Sequence, residues 1–352
     1  MIRKRWVVAL LTGVLALGLV ASPAFAATTA IAKRPVTQPR FNARLGMVAA
    51  ANAYFKNGPS PVIVAADLYK VVQAKDAGYQ IVDVRSAADY ALGHIDGAIN
   101  IPFATTADEA SLAKLDATKT IVVVCYTGEG ASMVTQVWVM LGYRATALMY
   151  GMSGWVADKA IVGMDIWNGV GACYPTVTKV PRAGRTFHAA KIKARYTNVT
   201  DAIKGQARAY FAKGLAPIIT AADVRKIVLS KDRRYQIVSV QQTADYAAGH
   251  IKGAMNIVWT DIADKATKLD PHKTIIVYCY SGQTGAQASM FLNLMGYKTY
   301  NVLSGMSSWN NDPAVGGFTF YNPATVANYP PSSSTSLPER HVPGGPLRGP
   351  SS

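Results

Sequence analysis

The 352-residue sequence is poor in cysteine, histidine and glutamate, with three, five and three residues of these types. The cysteines are Cys125, Cys173 and Cys279, too widely separated for the C-x-x-C spacing of a redox or zinc motif. No metal or organic cofactor is therefore indicated. After the first residues, no stretch approaches the roughly 20 apolar residues that a bilayer-spanning helix needs.

Acidic residues are also scarce, and the formal net charge is +16 at pH 7. Such a surplus attracts anions and repels cations. The lysines and arginines are scattered rather than clustered, and no nucleic-acid-binding motif is recognisable, so we expect no nucleic-acid partner. Small anionic substrates, or acidic surroundings in which few carboxylates are tolerated, fit this charge better.

The first 26 residues have the organisation of a secretory signal peptide. Arg3, Lys4 and Arg5 precede a short apolar run, and Ala24-Phe25-Ala26 supplies the small residues of a cleavage site. We expect cleavage after Ala26, which leaves a periplasmic or secreted protein of net charge +13 with no stable membrane insertion. The alternative is an uncleaved N-terminal anchor, which the shortness of the apolar run disfavours.

An internal repeat dominates the rest of the chain. AYFKNGPSPVIVAADLYKVV from Ala53 matches AYFAKGLAPIITAADVRKIV from Ala209, and YQIVDVRSAADYALGHIDGAINI from Tyr79 matches YQIVSVQQTADYAAGHIKGAMNI from Tyr235. This period is far longer than a solenoid repeat, so the copies are whole domains. The predicted segments are a signal peptide (1–26), a lead-in (27–45), domain 1 (46–169), a linker (170–199), domain 2 (200–323) and a disordered Pro/Ser/Gly-rich tail (324–352).

Each copy alternates helix and strand patterns. IVVVC and IIVYC are continuous apolar runs, which are typical of strands covered on both faces, so we predict an α/β fold with a mainly parallel central sheet flanked by helices. Thr220 and Asp223 have the spacing of a capping box at a helix start, whereas the first copy has Val64 there and lacks the cap. Ligands of such sheets bind at the carboxyl ends of the strands, where Cys125 and Cys279 stand.

A cysteine followed by a glycine-containing loop and a helix has a defined chemistry. The backbone N–H groups of the loop form an anion-binding nest, to which the helix N-terminus adds partial positive charge. We expect the pKa of the thiol to fall below its free value of about 8.5. Nucleophilic attack on a bound anion, by sulfur transfer or phosphoryl transfer, is the chemistry that uses both features.

Several short motifs recur in the same order in both copies. D-V-R with G-H-I-x-G-A-x-N-I, then C-Y-x-G on the following strand and G-M-S-x-W near the end, resemble the rhodanese sulfurtransferases. The resemblance implies a cysteine that takes sulfane sulfur from thiosulfate or a related donor. The persulfide then passes its sulfur to cyanide or a thiol, and a sulfur-accepting protein is a further candidate acceptor.

By the same resemblance, Cys125 and Cys279 are the persulfide-forming residues. The loops that would bind the substrate consist of Tyr126, Thr127, Gly128, Glu129, Gly130 and Ala131 in the first copy, and of Tyr280, Ser281, Gly282, Gln283, Thr284 and Gly285 in the second. Phosphatases that share this fold close the loop with an arginine that grips phosphate oxygens. Neither loop has one, so phosphatase activity is disfavoured.

Other motif residues are interpreted as structural. The resemblance implies a bracing role for Asp83, Arg85, His94 and His250. We expect Arg85 to pair with an acid such as Asp89. The second copy has serine and glutamine in place of the aspartate and arginine.

Glu129 distinguishes the two cysteine loops. A carboxylate beside the nest repels an anionic donor and opposes thiolate formation unless it points away, so we expect Cys279 to be the better sulfur acceptor. Alternatives remain open: the loop cysteines are buried structural thiols, two cysteines form a disulfide, or the domains carry sulfur or an anion for a partner enzyme without fast turnover. Cys173 is interpreted as a bystander, with a resolving thiol or a partner across a dimer as the alternatives.

The two cysteines are predicted to contribute unequally to turnover. Cys279→Ser removes most thiosulfate:cyanide sulfurtransferase activity, and Cys125→Ser removes less, because only the first loop carries a carboxylate. Steady-state thiocyanate formation by the two variants measures this. Equal losses, or the reverse order, contradict the argument from Glu129.

Overall fold

A computed structural model of the protein describes residues 41–58, 61–164, 169–181, 184–214, 217–310, 312–316 and 321–333. The predicted signal peptide, the lead-in up to residue 40 and the tail from residue 334 lie outside these ranges. None of the helices within them has the length and hydropathy that a bilayer span requires.

The first copy contains short strands alternating with helices. Its elements are α1 (Ala43–Asn57), β1 (Val62–Ile63), α2 (Ala65–Gln73), β2 (Tyr79–Asp83), α3 (Ala87–Leu92), β3 (Ile99–Asn100), α4 (Glu109–Leu112), β4 (Thr120–Val124), α5 (Glu129–Met140), β5 (Arg144–Leu148), α6 (Gly151–Trp155) and α7 (Lys159–Val162). A 3-10 turn at Phe103–Thr105 follows β3.

The second copy repeats this order with small differences. Its elements are α8 (Val199–Phe211), β6 (Ile218–Ile219), α9 (Ala221–Ser230), β7 (Tyr235–Ser239), α10 (Thr243–Ala248), β8 (Met255–Asn256), β9 (Thr274–Tyr278), α11 (Gln283–Leu294), β10 (Lys298–Val302), α12 (Gly305–Trp309) and α13 (Pro313–Gly316). Three further 3-10 turns lie at Trp259–Asp261, Ala266–Lys268 and Pro323–Thr325.

The strands form two five-stranded parallel sheets of the same topology. Their orders are β1-β5-β4-β2-β3 and β6-β10-β9-β7-β8. The central pairing keeps the same register in both, with Ile81 opposite Val122 and Ile237 opposite Ile276. The predicted α/β fold with parallel sheets is confirmed, and the strands that precede the two loop cysteines lie at the centre of each sheet.

The N-cap residues of equivalent helices differ between the two copies. Thr220 Oγ1 accepts a hydrogen bond from the Asp223 N–H at 3.1 Å, whereas Val64 at the matching position has no side-chain bond of this kind. The predicted difference in capping is therefore confirmed. An N-cap hydroxyl stabilises a helix by about 1 kcal/mol, so the N-terminus of α9 is more stable than that of α2.

One apolar core joins the two copies. It covers one face of each sheet and contains buried residues of α1, α5, α8 and α11, while two smaller clusters cover the outer faces. The first helix of each domain packs on the other domain. In α1, Phe55 lies 5.0 Å from Trp259 and 5.7 Å from Phe291 (ring centroids), and in α8, Phe211 lies 4.8 Å from Phe103. The copies are therefore interdependent for folding, because each completes the core of the other.

The segment that follows domain 1 packs on domain 2. Tyr174 contacts Trp309 edge-to-face with the ring centroids 5.1 Å apart. The backbones of Val177 and His250 exchange two hydrogen bonds of 2.9 and 3.0 Å. The beginning of the predicted linker is thus an ordered strap on the neighbouring domain.

The segment that follows domain 2 makes the reciprocal contact. Tyr329 packs on Trp155 of domain 1 with the ring centroids 5.0 Å apart, and Ser332 exchanges two backbone hydrogen bonds of 2.8 Å with His94. The prediction of disorder from residue 324 is therefore wrong for residues 324–333. Proline-rich composition disfavours helices, but it permits an extended segment that buries one tyrosine and pairs with a single backbone position.

A buried ion pair stands at the end of β2. Arg85 Nη2 lies 2.6 Å from Asp83 Oδ2, both side chains are fully buried, and Arg85 Nη1 also donates to the Ile161 carbonyl at 2.6 Å. The expected pairing with Asp89 is wrong, because Asp89 accepts from the Tyr126 hydroxyl at 2.6 Å. The guanidinium pairs instead with Asp83, the last residue of β2.

The second copy provides a natural neutral replacement for this pair and hence a test of its energetics. Arg85→Gln alone leaves Asp83 charged and buried, and it is expected to lower the free energy of unfolding by about 3–5 kcal/mol. The double variant Asp83→Ser/Arg85→Gln reproduces the second copy and is expected to recover a large part of that loss. Urea denaturation measures both, and a double variant that is no more stable than Arg85→Gln contradicts this interpretation.

Candidate active site

Cys125 and Cys279 lie at equivalent points of the two sheets. Each directly follows the central strand, β4 or β9, and is almost completely buried, with 5% and 1% of its surface exposed. The structure therefore places both predicted cysteines at the carboxyl edge of a parallel sheet, where ligands of such folds bind.

A backbone N–H group faces each sulfur. The Gly128 N–H donates to Cys125 Sγ at 3.1 Å, and the Gly282 N–H donates to Cys279 Sγ at 3.1 Å. Both glycines have left-handed backbones, with φ of 94° and 96°, and they begin helices α5 and α11. A Cβ on Gly128 would lie 2.8 Å from the Tyr150 nitrogen, so the turn that aims this N–H requires glycine.

Further amides surround the sulfur of Cys125. The N–H groups of Ala131 and Thr127, together with that of Gly128, lower the pKa of the thiol. An ideal Cβ on Gly130 would lie 3.6 Å from this sulfur, so the first turn of α5 also approaches it closely. The predicted nest of main-chain donors is present.

Burial outweighs these donors at Cys125. It raises the pKa of the thiol to about 11, and the negative charge of Glu129 acts in the same direction. The expectation of a lowered pKa is therefore wrong for Cys125 in this closed arrangement. Desolvation penalises the thiolate because the neighbouring domain covers the loop, which no pattern within a single copy reveals.

The two cysteine loops lie against each other across the domain interface. Glu129 of domain 1 is fully buried, and its Oε1 accepts from the Ser304 N–H of domain 2 at 3.0 Å. Its Oε2 accepts from the Thr127 hydroxyl. In return, Gln283 of domain 2 donates from Nε2 to the Thr127 carbonyl at 3.4 Å. Equivalent positions of the two copies, Glu129 and Gln283, thus connect the loops.

These contacts determine where the carboxylate of Glu129 points. It lies against the second loop, close enough that a Cβ on Gly282 would approach Oε1 to 2.6 Å. Burial raises its pKa, and the hydrogen bonds from Thr127 and Ser304 act in the opposite direction. Ser304 was not predictable as a site residue, because its contact is made by the backbone N–H and leaves no signature in the sequence.

Comparison with known proteins identifies the repeat. The model of the rhodanese-like domain matches residues 65–158 and 220–312, together more than half of the chain. The chain belongs to the rhodanese-like family. The tandem rhodanese-like organisation predicted from the two copies is therefore confirmed.

Individual relatives match one rhodanese-like domain each. The YtwF protein of Bacillus subtilis is 33% identical over 95 residues, which is 27% of this chain and 90% of that protein. Thiosulfate sulfurtransferase GlpE of Pseudomonas paraeruginosa is 32% identical over 111 residues, covering 32% of this chain and 86% of the enzyme. Family and relatives together support sulfur transfer as the general chemistry.

A solved structure aligns with most of the tandem rhodanese-like chain. The crystal structure of a thiosulfate sulfurtransferase from Pseudomonas aeruginosa covers 82% of this chain and 71% of its own, at 14% identity and a TM-score of 0.25.

The side chains of several other predicted residues contact α3 or α10 of their own rhodanese-like domain. The His94 ring stacks on Tyr90 and its Nδ1 lies 2.8 Å from the Tyr90 carbonyl, and His250 repeats both contacts with Tyr246. Such geometry suits bracing, since each ring is held by its own helix. The Tyr280 hydroxyl donates to Asp245, as the matching tyrosine of the first loop does to Asp89.

The other candidate chemistries have no support in the described residues. The three cysteines carry thiols rather than a disulfide, and Cys173 is exposed on the first strap. No group of three or more histidine, cysteine, aspartate or glutamate side chains in the described ranges is placed to hold a metal ion. Thr284 and Gly285 of the second loop lie in the first turn of α11, as Gly130 and Ala131 lie in that of α5.

Removing the carboxylate of Glu129 tests its effect on Cys125. Glu129→Gln gives the first loop the residue of the second and is expected to lower the pKa of the Cys125 thiol from about 11. Since one pKa unit changes the thiolate fraction tenfold, alkylation of Cys125 by iodoacetamide at pH 8 should accelerate by roughly threefold or more. Peptide mass spectrometry over pH 7 to 10 measures the rate.

Glu109→Gln is the matched control, because it removes the same charge from an exposed position that pairs with Lys204. It should leave the alkylation rate of Cys125 unchanged. If Glu129→Gln alkylates no faster than the wild type, the carboxylate does not oppose the thiolate.

Proposed function

We propose that this protein is an exported sulfurtransferase that moves sulfane sulfur from thiosulfate or a related donor to cyanide or a thiol acceptor through a cysteine persulfide. The observation that carries the proposal is the Gly282 N–H aimed at Cys279 Sγ, at the carboxyl end of the central strand. The name of the GlpE relative supports thiosulfate as donor.

The reaction balances with the protein's own sulfur as the carrier. The Cys279 thiolate attacks the outer sulfur of thiosulfate, the S–S bond of the donor breaks, and sulfite leaves with the electron pair. Cyanide then attacks the terminal sulfur of the persulfide, which releases thiocyanate and restores the thiolate. Cys279 carries negative charge as the attacking thiolate and again when cyanide releases it from the persulfide, and the main-chain donors stabilise that thiolate.

Access to the sulfurs requires the loops to separate. Cys279 is 1% exposed, so a donor reaches it only when the contacts between the cysteine loops open. The hydrogen bond of Gln283 to Thr127 contributes about 1 kcal/mol to closure, and that of the Ser304 N–H to the Glu129 carboxylate about 1.5–3 kcal/mol. Turnover is then a cycle of opening, transfer and closure.

The two domains have unequal roles in this proposal. Cys279 stands in a loop without an acidic residue and accepts sulfur first, whereas the charge of Glu129 disfavours the thiolate of Cys125. Thiosulfate is itself an anion, so the same carboxylate repels the donor. Cys125 is slower or has a specialised acceptor.

Export and partners complete the proposal. The basic start, the short apolar run and Ala24-Phe25-Ala26 support delivery to the periplasm or beyond, with no lasting membrane insertion. The positive charge of the mature chain supports small anionic donors rather than nucleic acid as partners. A thiol on another protein is a further acceptor.

A second function is favoured by the burial of both thiols. A persulfide formed in this closed interface is shielded from water and from other thiols, as a sulfur carrier that serves a partner enzyme requires. The carrier differs from the enzyme in one observable respect, namely slow release of sulfur to small acceptors.

Mass spectrometry of the cysteine-containing peptides tests both functions. Incubation with thiosulfate is expected to add 32 Da to Cys279, and cyanide is expected to remove it with release of thiocyanate. An adduct that persists with cyanide but passes to a protein thiol favours the carrier. If neither cysteine gains mass from thiosulfate or a persulfide donor, both functions are excluded.

A further inference from the structure

Tyr150 occupies an unusual position between β5 and α6. Its backbone is left-handed with φ of 63°, a conformation that disfavours bulky side chains, and domain 2 has Ser304 at the equivalent place with φ of 53°. Both residues precede the repeated G-M-S sequence. The shared backbone comes from the fold, but the tyrosine side chain is specific to domain 1.

Tyr150 lies beside the cysteine loop of domain 2, because a Cβ on Gly128 would stand 2.8 Å from the Tyr150 nitrogen and 2.9 Å from Gln283 Nε2 of that loop. Its hydroxyl is buried and, among the described residues, makes no hydrogen bond of normal geometry. The Ser281 hydroxyl is near enough to influence its ionisation, and negative charge on Cys279 acts on it as well. A buried donor without a partner is rare in folded proteins and calls for an explanation.

The hydroxyl remains a donor under physiological conditions. Burial is the largest effect and raises the pKa of Tyr150, against the lowering effect of the nearby Ser281 hydroxyl and of the Tyr321 backbone, while charge on Cys279 and Glu129 raises it further. The O–H is therefore retained when a thiolate or a persulfide anion forms nearby. The Ser281 hydroxyl already donates to Gln283 Oε1 at 2.6 Å. The Tyr150 hydroxyl is therefore the donor beside Ser281 that is available to a ligand.

Domain 2 has no side chain equivalent to Tyr150 that could reach the cysteine loop of domain 1. Ser304 is too short to extend as Tyr150 does, and its backbone N–H is used by Glu129. The Glu129 carboxylate opposes the thiolate of Cys125 although it lies against the second loop, whereas the Tyr150 hydroxyl of domain 1 lies beside Ser281 of that loop. The surroundings of the two cysteines therefore differ, and the difference arises from residues at the domain interface.

We infer that Tyr150 of domain 1 is a substrate-binding residue of the Cys279 site in domain 2, where its buried hydroxyl donates a hydrogen bond to the small sulfur-bearing anion held beside Ser281. The inference rests on the proposed function and extends it. Both domains then contribute to the Cys279 site. Domain 1 provides a hydrogen-bond donor that domain 2 alone lacks.

Tyr150→Phe removes the hydroxyl and keeps the ring that packs on Tyr321. Loss of one hydrogen bond to an anion is expected to raise the thiosulfate concentration for half-maximal +32 Da loading of Cys279 by about tenfold. Loading of Cys125 in the same molecules should not change. Tyr321→Phe is the matched control, because its hydroxyl donates to the Ser153 carbonyl at 3.0 Å and it should load Cys279 as the wild type does.

A second measurement is independent of sulfur transfer. Iodoacetate carries a carboxylate and iodoacetamide does not, so the ratio of their rates at one cysteine reports anion binding while thiolate formation cancels. In Tyr150→Phe this ratio should fall several-fold at Cys279 and stay constant at Cys125.

The outcomes separate the inference from the proposed function. A wild type that alkylates with a high ratio but takes no sulfur excludes the proposed function, and the ratio in Tyr150→Phe then decides the role of Tyr150 alone. A wild type that loads sulfur, with unchanged loading and ratio in Tyr150→Phe, overturns the inference. A Cys279 that accepts neither sulfur nor either reagent overturns both.

Discussion

The contact between the two cysteine loops is the interaction on which the rest of this structure depends. Helices α5 and α11 bring the carboxyl ends of the two central strands together, and Glu129 crosses the interface to the Ser304 N–H at 3.0 Å. The thiols lie behind this contact. Their exposure, their ionisation and the neighbours available to a substrate all follow from how closely the loops approach.

Two opposing effects act on a thiol in this position. Main-chain donors such as the Gly128 N–H stabilise a thiolate, whereas removal of water destabilises it. At Cys125 burial is the stronger effect, and its pKa rises to about 11. A nest of amides is therefore insufficient to activate the sulfur in the closed arrangement. In the proposed opening of the interface, renewed contact with water would shift this balance towards the thiolate.

The copies share a backbone and differ in charge and in polar side chains. The first has a buried aspartate–arginine pair after β2 and a glutamate in its cysteine loop, and the second has neutral residues at these positions. Reciprocal packing of α1 and α8, and of the straps around Tyr174 and Tyr329, holds the copies together despite this divergence.

The sequence by itself determined the duplication, the parallel α/β fold and the placement of Cys125 and Cys279 at the ends of central strands. These follow from local periodicity and from motifs repeated within each copy. Only the tertiary structure decided the burial of both thiols, the direction of Glu129 and the proximity of Tyr150 to the second loop. The physical reason is that these properties arise at an interface between segments about 150 residues apart, where desolvation and backbone contacts leave no periodic trace in the chain.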